Sequence, residues 1–144
     1  MKANFIPEGF HTVTPYLLTR GADKIIDFTK RVFDAEEISR MDHPNGSVMH
    51  AQVRIGDSIV MLAEARPEYP AMPTMLYLYV ENVDEAYDRA IKAGGVSLRE
   101  PTDEYYGDRS CGVQDAGGNQ WWIATHLEDV SPQEAERRAK GLAQ

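Results

Sequence analysis

Hydrophobic and polar positions along this chain form two series of the same design. An extended run over 12–19 leads into apolar residues at helical spacing, Ile25, Ile26, Phe28, Val32 and Phe33, over 22–33. Three strand-like runs follow and end near residue 64. A second extended run over 74–81 leads into a second stripe, Val83, Ala86, Tyr87, Ala90 and Ile91, over 83–93. Three more strand-like runs end near residue 126. The pattern predicts an α+β fold of two tandem βαβββ modules, about 12–65 and 74–126, whose curved mixed sheets enclose a cavity.

Turn residues punctuate the same scheme. Gly56-Asp57 separates two alternating runs as a tight hairpin turn, and Gly94-Gly95 stops the second helix. Pro67, Pro70 and Pro73 mark the linker between modules. Ser131-Pro132 with Glu134 reads as an N-cap, a first-turn proline and a capping glutamate. The chain therefore divides into one domain over 1–130 and a C-terminal helix or tail over 131–144.

Strand alternation gives a map of the cavity, because successive side chains face opposite ways. On the third strand Met49, Ala51, Val53 and Ile55 are expected under the helix, leaving His50 and Gln52 on the concave side. A two-residue turn at Gly56-Asp57 pairs Ile55 with Ser58, Gln52 with Met61 and His50 with Ala63. On the fifth strand Leu76, Leu78 and Val80 oppose Tyr77 and Tyr79, and on the last Trp121 and Ile123 oppose Gln120, Trp122 and Ala124. The result is a cavity lined by aromatics with few polar groups, which is the chemistry of a small-molecule pocket.

Composition removes several alternatives. A net charge of −8 and a pI near 4.9 repel phosphate backbones, so nucleic acid is not expected as a partner. No apolar run reaches membrane-spanning length and the N-terminal residues lack a signal-type apolar core, so no membrane partner is expected either. The single cysteine, Cys111, allows no intrachain disulfide and suits a cytoplasmic location.

Two segments carry candidate chemistry. His50 either packs and hydrogen-bonds a neighbour, or acts on a ligand as a base, since imidazole titrates near neutrality. In the loop around Tyr106-Gly107-Asp108-Arg109, Arg109 either clamps an anionic group on a ligand or pairs with Asp108 in a hairpin. Asp108 reads as structural, and His126 shares parity with Trp122 at the cavity rim.

Several motifs recur together and in order: Thr12-Val13-Thr14-Pro15-Tyr16-Leu17, Asp27-Phe28, Met49-His50-Ala51 and Gly56-Asp57-Ser58. They continue with Tyr106-Gly107-Asp108-Arg109-Ser110, Asp115-Ala116-Gly117-Gly118-Asn119, Trp121 and Ala124-Thr125-His126. Over about 7–132 the chain resembles the glyoxalase/bleomycin resistance/dioxygenase group, the vicinal oxygen chelate superfamily, and looks most similar to its PhnB-like branch. Metal-dependent members of that group place a His, Gln or Glu ligand on the first, fourth, fifth and eighth strands. The corresponding positions here are Thr14, Met61 or Ala63, Met75 and Trp122, so the resemblance implies no metal and no other cofactor.

The resemblance also implies a homodimer. The expected function is a metal-independent small-molecule-binding protein that sequesters a planar or aromatic compound. Tyr16, Gln52, Met61, Tyr77, Tyr79, Tyr106, Arg109 and Trp122 are its candidate ligand contacts. The alternative is a lyase or isomerase acting on an oxygenated metabolite, with His50 as catalytic base and Arg109 as anion clamp, or with a non-standard metal site.

Overall fold

The computed structural model describes residues 2–142, which fall into two units, each built around one four-stranded sheet. The first unit carries β1 (Tyr16–Thr19), α1 (Ala22–Phe33), β2 (Glu36–Asp42), β3 (Val48–Ile55) and β4 (Ser58–Glu64). The second carries β5 (Met75–Tyr79), α2 (Val83–Lys92), β6 (Val96–Asp103), β7 (Asp108–Gln114), β8 (Gln120–His126) and α3 (Pro132–Leu142). The two sheets have the same plan, in the orders β1-β4-β3-β2 and β5-β8-β7-β6. In each, the first strand runs parallel to the fourth and the other neighbours are antiparallel. The segment Asp115–Asn119 belongs by its contacts to the first unit.

In the first unit α1 occupies the expected residues and buries Ile25, Ile26, Phe28, Thr29 and Val32. Its N-terminus begins at Gly21, which has no side chain with which to cap it. The Glu64 carboxylate supplies the cap from β4, accepting the N–H groups of Gly21 and Ala22 at 2.9 and 3.0 Å. Below the helix lie Leu17, Ala51, Val53, Val60 and Leu62, all buried.

Two local expectations are corrected. Ladder pairing begins at Tyr16 instead of residue 12, and Pro15, which has no N–H to give, contributes only its carbonyl, accepting from the Met61 N–H. On β3 the helix-facing series is Val48, Ala51 and Val53, not Met49, Ala51 and Val53. A register shift pairs Met41 with His50 but Asp42 with Val48, which leaves Met49 unpaired and 39% exposed. The hairpin pairing itself is as expected, with Ile55 opposite Ser58 and Gln52 opposite Met61.

In the second unit α2 starts at Asn82, whose side chain accepts from the Glu85 N–H at 3.2 Å, and buries Val83, Ala86 and Ala90. The sheet face that packs against it is formed by Cys111, Val113, Trp121 and Ile123, each fully buried. Burial pushes the Cys111 thiol up to about 11, which makes it an unreactive core residue. The Ser131 hydroxyl caps α3 by accepting from the Glu134 N–H. Residues 143 and 144 of the expected tail lie outside the described residues.

Candidate functional site

Register decides which side chains of the second sheet share its open face. Tyr77 pairs with Trp122, which pairs with Gly112; Tyr79 pairs with Ala124, which pairs with Ser110; His126 pairs with Asp108. These rows lie on the face opposite α2. Tyr77 and Tyr79 therefore stand on the outer strand β5, and Asp108 stands two strands away on β7. The intervening row offers only the small, fully buried Ala124, so both phenol groups reach over β8.

They meet at Asp108. Its Oδ2 accepts the hydroxyls of Tyr77 and Tyr79 at 2.9 and 3.0 Å, and its Oδ1 lies 2.8 Å from Nδ1 of His126. The other ring nitrogen of His126 is 2.7 Å from the Asp129 carboxylate. Asp108 itself is only 2% exposed. Burial by itself would raise its pKa, but the hydrogen bonds from His126, Tyr77 and Tyr79 outweigh it and hold the carboxyl below its usual range. The same bonds to Asp108 and Asp129 raise the His126 pKa. Tyr77 is pushed well above the ordinary phenol range by burial and then by Tyr106 and Asp108, and Tyr79 is raised chiefly by its bond to Asp108. Both phenols are neutral at physiological pH.

Backbone geometry brings this cluster together. Gly107 adopts φ +100° and its carbonyl accepts the N–H groups of Leu127 and Glu128 at 2.9 and 3.2 Å. A side chain there would strike the Glu128 carbonyl, so only glycine lets the segment after β8 close on the start of β7. Gly112 has a related purpose for Trp122: a Cβ on Gly112 would lie 2.7–2.9 Å from three atoms of the indole. The bare backbone leaves room for the ring, and Trp122 Nε1 donates to Gln120 at 3.0 Å. Above these fixed groups Tyr79, Tyr77 and Tyr106 remain 65%, 43% and 37% exposed. The rings of Tyr77 and Tyr79 stand edge to face, 5.5 Å apart.

Arg109 lies on the other face of β7, in register with Thr125. It holds Asp84 of α2 through Nε and Nη2, and Asp103 through Nη1 at 3.0 Å. Its guanidinium thus ties helix to sheet, and those two carboxylates raise its pKa further. Asp108 and Arg109, expected in a loop and as one alternative paired with each other, open β7 instead, on opposite faces, and Arg109 pairs with Asp84 and Asp103.

The first unit repeats the cross-strand reach. Tyr16 pairs with Met61, which pairs with Gln52, and the Tyr16 hydroxyl lies 3.2 Å from Nδ1 of His50. The Gln52 amide nitrogen is 3.3 Å from His50 Nε2, so both nitrogens of the imidazole are engaged. Beside them Tyr16, Leu18, Met49, Ala63, Glu64, Arg66 and Tyr69 line a recess of about 230 Å³. Arg66 stacks its guanidinium 5.6 Å from the centre of the Tyr69 ring. Met49 and Tyr69 were absent from the sequence-derived set, because the first depends on the β3 bulge and the second on a fold of the proline-rich linker.

The four positions at which metal-dependent relatives place ligands do not fit a divalent ion here. Thr14 donates its hydroxyl to the His11 carbonyl, Met61 and Met75 are thioethers, Ala63 has no ligating atom, and the Trp122 indole has a donor but no lone pair to give. Among the described residues, no three His, Cys, Asp or Glu side chains are grouped to hold a metal ion.

Comparison with known proteins agrees with this architecture. A profile of the Glyoxalase/Bleomycin resistance protein/Dioxygenase superfamily matches residues 9–123. The uncharacterized protein Mb0911c of Mycobacterium bovis is 30% identical over 135 residues, covering 86% of this chain and 89% of that protein. TioX from Micromonospora sp. ML1 is similar in structure, with TM-score 0.70 and 25% identity over 81% of this chain and 99% of TioX. TnmS3, an antibiotic binding protein from Streptomyces sp. CB03234, shares the fold with TM-score 0.64 and 19% identity, over 81% of this chain and 95% of its own. Two βαβββ units and a profile match across most of the sequence lead to one assignment: the chain belongs to the glyoxalase/bleomycin resistance protein/dioxygenase superfamily.

Proposed function

We propose that this protein binds a planar, aromatic small molecule on the open face of its second sheet, without a metal ion, and sequesters it. The observation that carries this reading is that Tyr77 and Tyr79 keep large exposed ring surfaces while their hydroxyls are fixed on the buried Asp108. A ring anchored at its hydroxyl loses little further freedom on binding, so stacking there is preorganised. Trp122, Met75 and Tyr106 extend the same face. The antibiotic-binding activity of TnmS3 supports the reading by analogy of fold.

The lyase or isomerase reading gains no support from its two named residues. Both nitrogens of His50 are engaged by Tyr16 and Gln52, and Arg109 is engaged by Asp84 and Asp103. His50, Gln52, Met61 and Tyr16 are better read as a second ligand-facing surface, that of the first unit. A PhnB-like position within the superfamily, a cytoplasmic location and a homodimer complete the proposal. The apolar residues Phe5 and Val13, 97% and 81% exposed, support self-association.

Fluorescence titration of chelator-treated protein with riboflavin, acridine orange and 1-anilinonaphthalene-8-sulfonate tests the reading. Saturable binding of at least one probe, unchanged by added zinc or manganese, is expected. Absence of binding by all three, or binding only after metal addition, overturns it.

A further inference from the structure

We infer that the second sheet recognises a hydrogen-bond donor on its ligand, so that the ligand class is planar aromatic amines and ammonium compounds, not aromatic acids. The inference rests on the binding function proposed above and follows from counting hydrogens. An ionised carboxylate only accepts, and a phenol has one hydrogen to give. Asp108, held ionised by its partners, takes the single hydrogens of both Tyr77 and Tyr79 on Oδ2, at 2.9 and 3.0 Å. The Tyr106 oxygen lies 3.2 Å from that of Tyr77. Because Tyr77 has already given its hydrogen to Asp108, Tyr106 is the donor in that contact.

All three hydroxyl hydrogens are therefore directed within the cluster. The partly exposed residues have only oxygen lone pairs left to offer a ligand, and a lone pair is satisfied only by an N–H or O–H. At the three phenol oxygens a ligand carboxylate would meet acceptors only, losing its hydration there without replacement.

Charge points the same way. Asp108 and Asp129 flank His126, and Arg99, in register with Gly112, is paired with Glu104 at 3.1 Å. The ring faces attract cations, and the net charge of −8 favours their approach.

Three acridines of nearly equal ring area separate these contributions. 9-Aminoacridine is a cation with N–H donors, 10-methylacridinium is a cation without them, and acridine-9-carboxylate is an anion that only accepts. In calorimetric titration 9-aminoacridine is expected to bind at least about tenfold more tightly than the carboxylate, with methylacridinium between them. In Asp108→Asn the amide N–H groups would donate to the phenol oxygens and turn their hydrogens outward. The carboxylate should then gain affinity and 9-aminoacridine lose it. Tyr77→Phe/Tyr79→Phe/Tyr106→Phe keeps the rings and removes all three phenol acceptors, so 9-aminoacridine should fall to the level of methylacridinium. That variant decides the matter if Asp108→Asn does not fold. Equal binding of carboxylate and amine by the native protein, or failure of all three acridines to bind a protein that binds one of the earlier probes, overturns this inference and leaves the binding function standing; failure of every acridine and every probe overturns both.

Discussion

His126 and Asp108 form a 2.8 Å contact between a half-exposed imidazole and a carboxylate that is 2% exposed. The pairing raises the histidine pKa and, with Tyr77 and Tyr79, lowers that of the aspartate against the effect of its burial. A raised histidine pKa contributes stability that is complete below about pH 6.5, its unfolded value, and is lost as pH rises through the higher folded value. A lowered aspartate pKa contributes stability that is complete above about pH 3.9 and is lost as pH falls through the lower folded value. Between those limits both contributions are present. Urea denaturation of native protein and His126→Gln at pH 5.5 and pH 9 should show a stability difference that is larger at the lower pH. A difference independent of pH would contradict the charged pairing.

Gly112 is required by the Trp122 ring. Gly112→Ala places a methyl group against three indole atoms and should destabilise the protein by about 1–3 kcal/mol. The altered ring position should also appear in the near-ultraviolet circular dichroism. A spectrum and melting temperature equal to those of the native protein would refute this.

Asn119 is 1% exposed and makes contacts in several directions within the first unit. Its Oδ1 accepts the Thr74 N–H at 3.1 Å, and its Nδ2 donates to Thr19 Oγ1 and to the Asp115 carboxylate. Asn119→Ala removes these partners from buried groups and should cost about 2–4 kcal/mol in urea denaturation. Asn119→Asp should be no milder, since it removes the amide donor and sets a second carboxylate beside Asp115.

Glu64 replaces the missing cap of α1. Glu64→Ala should destabilise by about 1 kcal/mol, with the loss measured in thermal melts and helix fraying at Gly21 and Ala22 measured by amide exchange. Glu64→Gln retains one acceptor oxygen and should recover part of the loss.

Much of the architecture was legible because helices and hairpins are local. The stripe from Ile25 to Val32 set the bounds of α1, and Gly56-Asp57 set the β3–β4 register. Two local errors have local causes: Pro15 shortens β1, and the bulge at Met49 moves Val48 to the buried face. The site was less legible. Alternation gave the shared face of Tyr77, Tyr79 and Trp122, but Asp108 acquires its two tyrosine partners only by a reach across β8. That reach depends on Ala124 being small and on Gly107 closing the chain, which are tertiary conditions. Arg109 was less legible still: set in a loop it had no strand parity to read, and an arginine there suggested a ligand clamp, whereas β7 begins at Asp108. Its actual partners, Asp84 and Asp103, come from α2 and from the end of β6.

The central claim is that the tyrosine face of the second sheet is the ligand surface. The most direct test is isothermal titration of 9-aminoacridine into the chelator-treated native protein and into Tyr77→Ala/Tyr79→Ala, with circular dichroism to verify that the variant is folded. The account predicts saturable binding to the native protein and a loss of at least about tenfold in the folded variant. Equal affinity for the two proteins would contradict it.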